Sequence, residues 1–429
     1  MKVALFTNTY LPHVGGVAKS VETLKNELEA AGHQTLVVAP EFDEADEVPD
    51  VIRVPAIQNF NGSDFSVKIP RPGLIRDAME EFQPDLIHSH HPFLLGDSAL
   101  REAWKMHIPL VFTHHTLYER YTHYVPFDSE AMKRMAIQMA TEYCNLVDMV
   151  IAPSASIGKL LKDRGVETPI EVVPTGIDLN LFQNGSGGRA REHYGISKDT
   201  PVIGHVGRLA PEKNLVFLAT AVEKALSTNN EAIFLLVGCG DGTEDMRTIL
   251  QTHIDSGRVI ELGKQTGHDL ADAYAAMDCF VFASQTETQG IVLAEAMAAR
   301  TPVVALDGPG VREIVDDGRN GRLLNHKAST DDFASAICQL LGDQTEHNAM
   351  REHAVSTASQ YSSPNCVAQL IDHYSRLIEE NAGFRSELST SEWDLIVSGI
   401  EAEWELISAK IATAVASVTE TEATEAILD

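Results

Sequence analysis

Short apolar runs rich in Val, Ile, Leu and Phe recur along the chain, and each is followed by a turn and an amphipathic stretch of helix length. The run at 2–8 precedes such a stretch at 15–32, and a second apolar run follows at 35–40. This alternation is typical of parallel strands that helices cover on both faces. The layout starts again near residue 202. The pattern therefore predicts an α/β fold in which a doubly wound parallel-sheet unit occurs twice.

The break between the two units is predicted within 176–195, where residues 184–188 (NGSGG) form a flexible polar stretch. Neither unit carries a Gly-x-Gly-x-x-Gly followed by an acidic residue for a ribose. This absence disfavours a dinucleotide-dependent oxidoreductase.

Length and charge narrow the choice of function. The 429 residues are about three times the usual domain length, which favours two domains. The formal net charge of −29 makes nucleic acid a poor partner, because that affinity is built from clustered Lys and Arg. Residues 1–178 hold 25 acidic and 15 basic side chains, and residues 379–429 hold 12 and 2. Each segment therefore has a net charge of −10, although the C-terminal one is much shorter. This higher charge density marks residues 379–429 as a different kind of region.

The N-terminal apolar run is too short for a signal peptide, and no run approaches the roughly 18 apolar residues of a membrane-spanning helix. The sequence thus predicts a cytoplasmic protein. Five widely spaced cysteines without a Cys-x-x-Cys pair favour reduced, packed thiols over a disulfide framework or a zinc site.

Two acidic residues, Glu287 and Glu295, flank a predicted helix start at Gly290. Carboxylates in this arrangement can accept hydrogen bonds from polyol hydroxyls. The backbone N–H groups of Gly290, Ile291 and Val292 would lie at the helix N-terminus, where a phosphate is stabilised. Taken alone, a helix cap followed by a solvated acid is the commoner explanation of such a pattern.

Two cations, Arg208 and Lys213, follow the first strand of the second unit, at the strand end where ligands bind in open α/β sheets. Together they could neutralise a leaving diphosphate, as a bound Mg²⁺ does in other enzymes. The chain has no Asp-x-Asp triplet, so no metal is predicted. A solvated or salt-bridged helix start is the alternative for this pair.

The first unit offers a glycine pair, Gly15 and Gly16, where its first helix is predicted to begin. Glycine there allows backbone N–H groups to approach an anion closely, and the helix dipole favours the anion. A plain turn explains the same pair equally well.

Histidines number 17 and cluster at the ends of two predicted strands of the first unit, as His88, His90 and His91 and as His114 and His115. A metal site would need further ligands at suitable spacing, and no Asp or Cys supplies them. Hydrogen bonding to a substrate, or burial as neutral rings, is favoured instead.

Four motifs stand in order along the chain: Gly15-Gly16, Thr113-x-His115-Thr116, Gly207-Arg208 with Lys213, and Glu287-x₇-Glu295. The combination resembles the retaining nucleotide-sugar glycosyltransferases of glycosyltransferase family 4, over residues 1 to about 380. The resemblance implies a GT-B fold, in which two Rossmann-like doubly wound parallel-sheet domains, 1–178 and 179–360, face each other across a cleft. A helix at about 361–380 would return to the first domain, and 381–429 would form an acidic amphipathic tail.

The resemblance also implies roles on the donor side. Arg208 and Lys213 would hold the donor diphosphate and stabilise the leaving nucleotide, with no metal or other cofactor. Glu295 would bind the ribose, and Glu287 would hold the donor sugar together with the backbone of Gln289 and Gly290.

Further roles follow from the same likeness. The backbone at Leu262 and Gly263 would meet the base, Gly16 would lie under the phosphate, and His115 would sit close to the anomeric centre. Retention would result from attack on the face that the nucleotide leaves, with the leaving phosphate taking the acceptor's proton.

The segments 113–126 and 286–290 are similar to those of bacterial diacylglycerol glucosyltransferases and, more loosely, of phosphatidylinositol mannosyltransferases. This implies UDP-glucose or GDP-mannose as donor, a membrane lipid as acceptor and a peripheral position on the inner face of the membrane. His90, His114 and Tyr118 are the acceptor-side candidates. The acidic first domain favours a soluble acceptor instead, such as a sugar phosphate or small polyol. A non-catalytic nucleotide-sugar binder is the third alternative.

In the tail, apolar residues recur at helical spacing from Trp393 to Ile411, with acids opposite. The acidic face disfavours anionic lipid, so packing against its own chain or a partner, including self-association, is favoured.

Overall fold

The computed structural model describes residues 1–12, 15–42, 48–57, 67–68, 73–120 and 130–380. The tail prediction falls on 381–429 and so lies outside the described residues. Among the described helices, none combines the length and the apolar character that crossing a bilayer requires.

The first domain is built on a seven-stranded sheet whose paired strands all run parallel. Its order is β3-β2-β1-β6-β7-β8-β9, and the short strands β4 and β5 pair separately. The strands are β1 (Lys2–Phe6), β2 (Gln34–Pro40), β3 (Val51–Val54), β4 (Ala56–Ile57), β5 (Val67–Lys68), β6 (Leu86–Ser89), β7 (Leu110–Thr113), β8 (Met149–Ala152) and β9 (Ile170–Val172).

Helices connect these strands and bury both faces of the sheet, which is why β1 is apolar without alternation. They are α1 (Gly16–Ala30), α2 (Leu74–Phe82), α3 (Leu95–Met106), α4 (Glu130–Leu146) and α5 (Ala155–Asp163).

The second domain repeats the plan with a six-stranded parallel sheet in the order β12-β11-β10-β13-β14-β15. Its strands are β10 (Val202–Val206), β11 (Ile233–Val237), β12 (Val259–Gly263), β13 (Cys279–Phe282), β14 (Val303–Leu306) and β15 (Gly321–Leu324). Its helices are α6 (Leu179–Gln183), α7 (Gly187–His193), α8 (Leu215–Thr228), α9 (Thr243–Asp255), α10 (Gly267–Ala276), α11 (Ile291–Ala298), α12 (Thr330–Gly342) and α13 (Gln344–Ala358). The predicted pair of doubly wound sheets is confirmed.

The glycine-rich stretch at 184–188 differs from its sequence-based interpretation as flexible. A side chain on Gly185 would lie 2.4 Å from the carbonyl oxygen of Ala271, and one on Gly187 would lie 2.1 Å from that of Ala275. The glycines are therefore needed for close packing of α6 and α7 against α10. Ser186 caps α7 by accepting a hydrogen bond from the backbone of Arg189.

The last described helix, α14 (Ser363–Glu379), packs on the first domain. Leu370 and Tyr374 are buried in the same core as Val3 and Leu5 of β1. The chain enters and leaves the second domain at adjacent points, because Ser363 N–H donates to the carbonyl of Ile177 at 3.0 Å. The domain limits drawn from the resemblance stay a prediction.

Candidate active site

Each sheet has one switch point, a strand from which the strand order continues in both directions, so that the connecting segments on its two sides diverge. In the first sheet β1 lies between β2 and β6, and in the second β10 lies between β11 and β13. Ligands of open α/β sheets bind at the carboxyl ends of the strands beside such a switch point. The predicted site residues occupy these loops: Gly15 and Gly16 after β1, His90 after β6, Arg208 and Lys213 after β10, and Glu287 to Gly290 after β13.

Lys213 and Glu287 form a close ion pair in the second domain. Lys213 Nζ donates to Glu287 Oε1 at 2.5 Å, and the side chains are 19% and 16% exposed. Burial alone would raise the pKa of Glu287, but the charge and hydrogen bond of Lys213, aided by Ser284 and His205, hold that pKa below its usual value. Glu287 is therefore ionised at neutral pH. The sequence predicted that each would meet the donor but not that they pair.

Arg208 is held by a partner that the sequence did not single out. Its guanidinium donates to Glu212 at 2.5 Å, and the Glu212 side chain is only 5% exposed while that of Arg208 is 44% exposed. Glu212 thus orients the cation from beneath and leaves much of it accessible. The spacing of four residues was the only available signal.

Glu295 lies on α11 and accepts a hydrogen bond from the hydroxyl of Tyr274 on α10, at 2.8 Å. Burial raises the pKa of Glu295 to about 7, and the bond to Tyr274 and the charge of Lys19 only partly offset this. The carboxyl group therefore changes protonation near neutral pH. Tyr274 was not predicted, since its contact with Glu295 spans 21 residues.

The N-terminus of α11 begins at Gly290, which has φ = +75° and no side-chain cap. The left-handed conformation is adopted at least cost by glycine, which has no Cβ. Gly310 supports this turn closely, because a side chain there would lie 2.7 Å from the backbone of Gln289. The first N–H groups of α11, including those of Ile291 and Val292, lack intrahelical partners and can receive an anion.

Gly15 caps α1 with an extended backbone, and the space beside Gly16 is open: a side chain there would meet no atom of the described residues within 4 Å. The same is true of Gly263, at φ = +62°. The carbonyl of Leu262 already accepts a hydrogen bond from Gln265, and that of Gly263 accepts one from Gly238, each at 2.8 Å. Contact of these two carbonyls with a nucleotide base, as the sequence predicted, would be a second hydrogen bond for each of them.

The loop 287–290 also touches the first domain. Thr288 donates through its hydroxyl to the carbonyl of His115 at 2.9 Å, and its own carbonyl accepts from Ser154 at 2.7 Å. The Gln289 amide exchanges two hydrogen bonds of 2.7 Å with the backbone of Thr175. These bonds hold the loop that bears Glu287 against His115 of the first domain. The sequence predicted a role for the backbone of Gln289 but not the contact that its side chain makes with Thr175.

The histidines at the ends of β6 and β7 are largely buried, and burial keeps them neutral. His90 Nδ1 lies 2.9 Å from His115 Nε2, and His88 lies between the hydroxyls of Tyr374 at 2.5 Å and Thr113 at 2.7 Å. Burial lowers the pKa of His88 to about 3 and holds those of His90 and His115 well below the usual value. A cavity of about 40 Å³ lies against these three rings.

The other two acceptor-side candidates pack together. His114 is 1% exposed, and its ring meets the edges of Phe112 and Tyr118 at centroid distances of 5.9 and 5.8 Å. Burial lowers the pKa of His114 to about 4. Neither ring nitrogen of His114 nor the hydroxyl of Tyr118 has a hydrogen-bond partner among the described residues. Their roles toward an acceptor stay predictions.

Metal ligands can be considered for the described part of the chain. No three His, Cys, Asp or Glu side chains there come together as a metal site would require. That the reaction uses no metal or other cofactor stays a prediction from the sequence.

Two parallel-sheet domains that contact each other through loops at the strand ends form the GT-B architecture. The structure is similar to that of sucrose-phosphate synthase from Thermosynechococcus elongatus, with a TM-score of 0.72 and 22% identity, covering 88% of this chain and 99% of that chain. The predicted GT-B fold is confirmed.

Residues 14–181 match the family described as Glycosyltransferase Family 4, and residues 200–343 match Glycosyl transferases group 1. The chain is 30% identical to alpha-monoglucosyldiacylglycerol synthase of Streptococcus pneumoniae over 357 residues, which are 81% of this chain and 80% of that protein. It is 28% identical to a GDP-mannose-dependent alpha-mannosyltransferase of Mycolicibacterium smegmatis over 385 residues, 88% and 98% of the two chains. The chain therefore belongs to glycosyltransferase family 4.

Proposed function

We propose that this glycosyltransferase moves a hexose, with retention, from a nucleotide diphosphate sugar to a hydroxyl of a membrane lipid such as diacylglycerol or a glycolipid precursor. The observation that carries the proposal is the loop 287–290. Within four residues it bears Glu287, paired to Lys213, and Thr288, bonded to His115 of the other domain. Groups suited to a diphosphate, a sugar and a reacting centre thus meet on one short segment.

On the donor side, Arg208 and Lys213 stabilise the negative charge that grows on the leaving diphosphate. The N-terminus of α11 adds its unpaired N–H groups to the same phosphate. Glu295 receives the ribose hydroxyls, and Glu287 receives those of the hexose. Because Glu287 is kept charged by Lys213, it remains a hydrogen-bond acceptor throughout.

On the acceptor side, the support for a lipid is the likeness to the Streptococcus relative, whose name states that it makes monoglucosyldiacylglycerol. Either UDP-glucose or GDP-mannose suits the donor site as proposed. A peripheral position on the inner face of the membrane follows from this acceptor, and self-association through the tail belongs to the same proposal.

The test is incubation of the purified protein with each nucleotide sugar and vesicles containing diacylglycerol, followed by measurement of free nucleotide and new glycolipid. The anomeric configuration of the product reports retention. Lys213→Ala should abolish most turnover, and Lys224→Ala, which removes a lysine that pairs with Asp331 outside the site, should not. Turnover with K213A equal to that of K224A contradicts the assigned donor site.

One observation favours a second candidate, a transferase with a soluble acceptor. Residues 1–178 carry a net charge of −10, which opposes anionic lipid, since each basic residue near such a surface contributes only about 1 kcal/mol of attraction. Turnover on a sugar phosphate or polyol, with neither glycolipid formation nor co-sedimentation with vesicles, selects this candidate.

A further inference from the structure

His90 and His115 share one hydrogen bond beside the contact between the domains. Their Nδ1 and Nε2 atoms lie 2.9 Å apart, and the rings stack at a centroid distance of 5.2 Å. Both rings are neutral, because burial and neighbouring imidazoles hold their pKa values well below the usual range. In a neutral pair one nitrogen must carry the proton and the other must accept it.

The surroundings of His90 determine which nitrogen donates. The residue is 1% exposed, and its second nitrogen, Nε2, is buried without a hydrogen-bond partner among the described residues. An orphaned buried N–H is rarer in proteins than an acceptor left unsatisfied. The proton of His90 therefore resides on Nδ1, from which it is donated to His115 Nε2.

This bond sets the protonation of His115 in turn. Since Nε2 of His115 accepts, its own proton must reside on Nδ1. Unlike Nε2 of His90, Nδ1 of His115 is not among the buried polar atoms that lack a partner in the described residues. The His115 ring lines the cavity. His115 thus presents an N–H donor to space that a ligand can reach, while its carbonyl is held by Thr288.

The neighbouring ring is fixed separately. His88 lies 4.2 Å from His90 between ring centroids, and the buried hydroxyl of Tyr374 bonds to His88 Nδ1. The hydroxyl of Thr113 bonds to His88 Nε2, so both nitrogens of His88 have partners other than His90. Two independent relays therefore orient adjacent imidazoles.

We propose that His90 is a positioning residue that fixes His115 in the tautomer with its proton on Nδ1, so that His115 offers a hydrogen-bond donor to an oxygen at the reacting centre. The inference rests on the proposed function for the place of His115. The proposal gives His90 no hydrogen bond to the acceptor, because one of its nitrogens bonds to His115 and the other is buried.

The first test is independent of activity. In the ¹⁵N-histidine-labelled full chain, two-bond ¹H–¹⁵N correlation spectra distinguish the two tautomers, and His115→Gln identifies the His115 signals among the 17 histidines. We expect Nδ1 of His115 to resonate as a protonated nitrogen. A protonated Nε2 in the unaltered protein overturns the proposal.

The second test uses matched variants of His90. His90→Asn keeps an N–H donor where Nδ1 lies, whereas His90→Gln places its amide near the position of Nε2. We expect kcat to fall about 10- to 100-fold in H90Q, as when a supporting partner is lost, and by less than about fivefold in H90N. The KM for the nucleotide sugar should change little in both. Equal kcat values for the two variants overturn the proposal.

Stabilisation of each variant by UDP, measured as a thermal shift, shows that it is folded and binds the nucleotide. If the unaltered protein transfers no sugar to any acceptor, the proposed function fails. The NMR measurement then still decides the tautomer of His115.

Discussion

The two domains place different chemistry at the same point of the same topology. Beside β10 and β13 the site is made of charged pairs, Lys213 with Glu287 and Arg208 with Glu212. Beside β6 and β7 it is made of imidazoles that burial keeps neutral. A partly buried charge persists only beside its counter-charge. The proposed function uses this difference, with the anionic donor at the charged side and the uncharged hydroxyl of the acceptor at the neutral side.

Lys213→Ala should be the largest perturbation of the charged side. It removes a cation from the donor and leaves Glu287 with an uncompensated charge, so the pKa of Glu287 rises. We expect kcat/KM to fall about 100- to 1,000-fold, as for removal of a preorganised group that stabilises transition-state charge. Steady-state kinetics beside Lys224→Ala measure this. A loss below tenfold would mean that the charged pairs are structural and that the comparison fails.

Gln289→Ala tests whether the two sides work only when held together. It leaves the N–H and carbonyl of Thr175 without the amide that both now contact. Loss of two hydrogen bonds at about 1 kcal/mol each should lower kcat/KM by up to roughly 30-fold. Gln285→Ala, at an exposed position of the same loop that bonds only to the carbonyl of His326, is the control. Equal kinetics for the two variants contradict the coupling.

Glu295 gives a dependence on pH. Because its folded pKa of about 7 exceeds its ordinary value of 4.5, folding favours the protonated form, and that stability is lost as pH rises between the two values. We expect the unfolding free energy of the unaltered protein, relative to Glu295→Gln, to fall by at most about 1.4 kcal/mol per pH unit in this window and to level off above it. Chemical denaturation from pH 4.5 to 8 measures the difference. A flat difference shows that Glu295 is not protonated by burial.

The same titration should appear in binding. UDP-glucose should bind more tightly to the unaltered protein as pH rises through 7, because the ionised carboxylate is the better acceptor for ribose hydroxyls. Calorimetry at pH 6 and 8 should show no such gain for E295Q. An equal gain in both proteins would assign the effect to another group.

Tyr374→Phe probes the neutral side and should have the smallest effect. It removes the hydroxyl that bonds to His88 Nδ1 and leaves that nitrogen unsatisfied. We expect a loss of about 1–3 kcal/mol in stability and a kcat within about twofold, because Tyr374 does not contact His115. Differential scanning calorimetry with kinetics checks both. A large fall in kcat would show that the two histidine relays are coupled.

Local pattern was enough to predict the two sheets, because buried parallel strands are apolar without interruption and the helices between them are amphipathic. It also placed Arg208, Lys213 and Glu287 correctly in loops at strand ends. The motifs predicted their neighbourhood but not their partners. Other predicted site residues lie within regular elements, such as Glu295 on α11 and Leu262 on β12.

Partners were missed where contact joins distant parts of the chain. Tyr274 reaches Glu295 across a helix pair, and Tyr374 reaches His88 across 286 residues. Nothing in the spacing of a single sequence encodes such pairs. The packed glycines at 184–188 were misinterpreted for a similar reason, since a glycine required by a neighbouring backbone has the same letter as one in a free linker.

The return of α14 to the first domain has a consequence for synthesis of the protein on the ribosome. The core around β1 is incomplete until Leu370 and Tyr374 have left the exit tunnel, whereas every strand of the second domain is made before them. Domains fold as units as they emerge, at about 5–20 residues per second. The domain that begins the chain is therefore the last to complete its core.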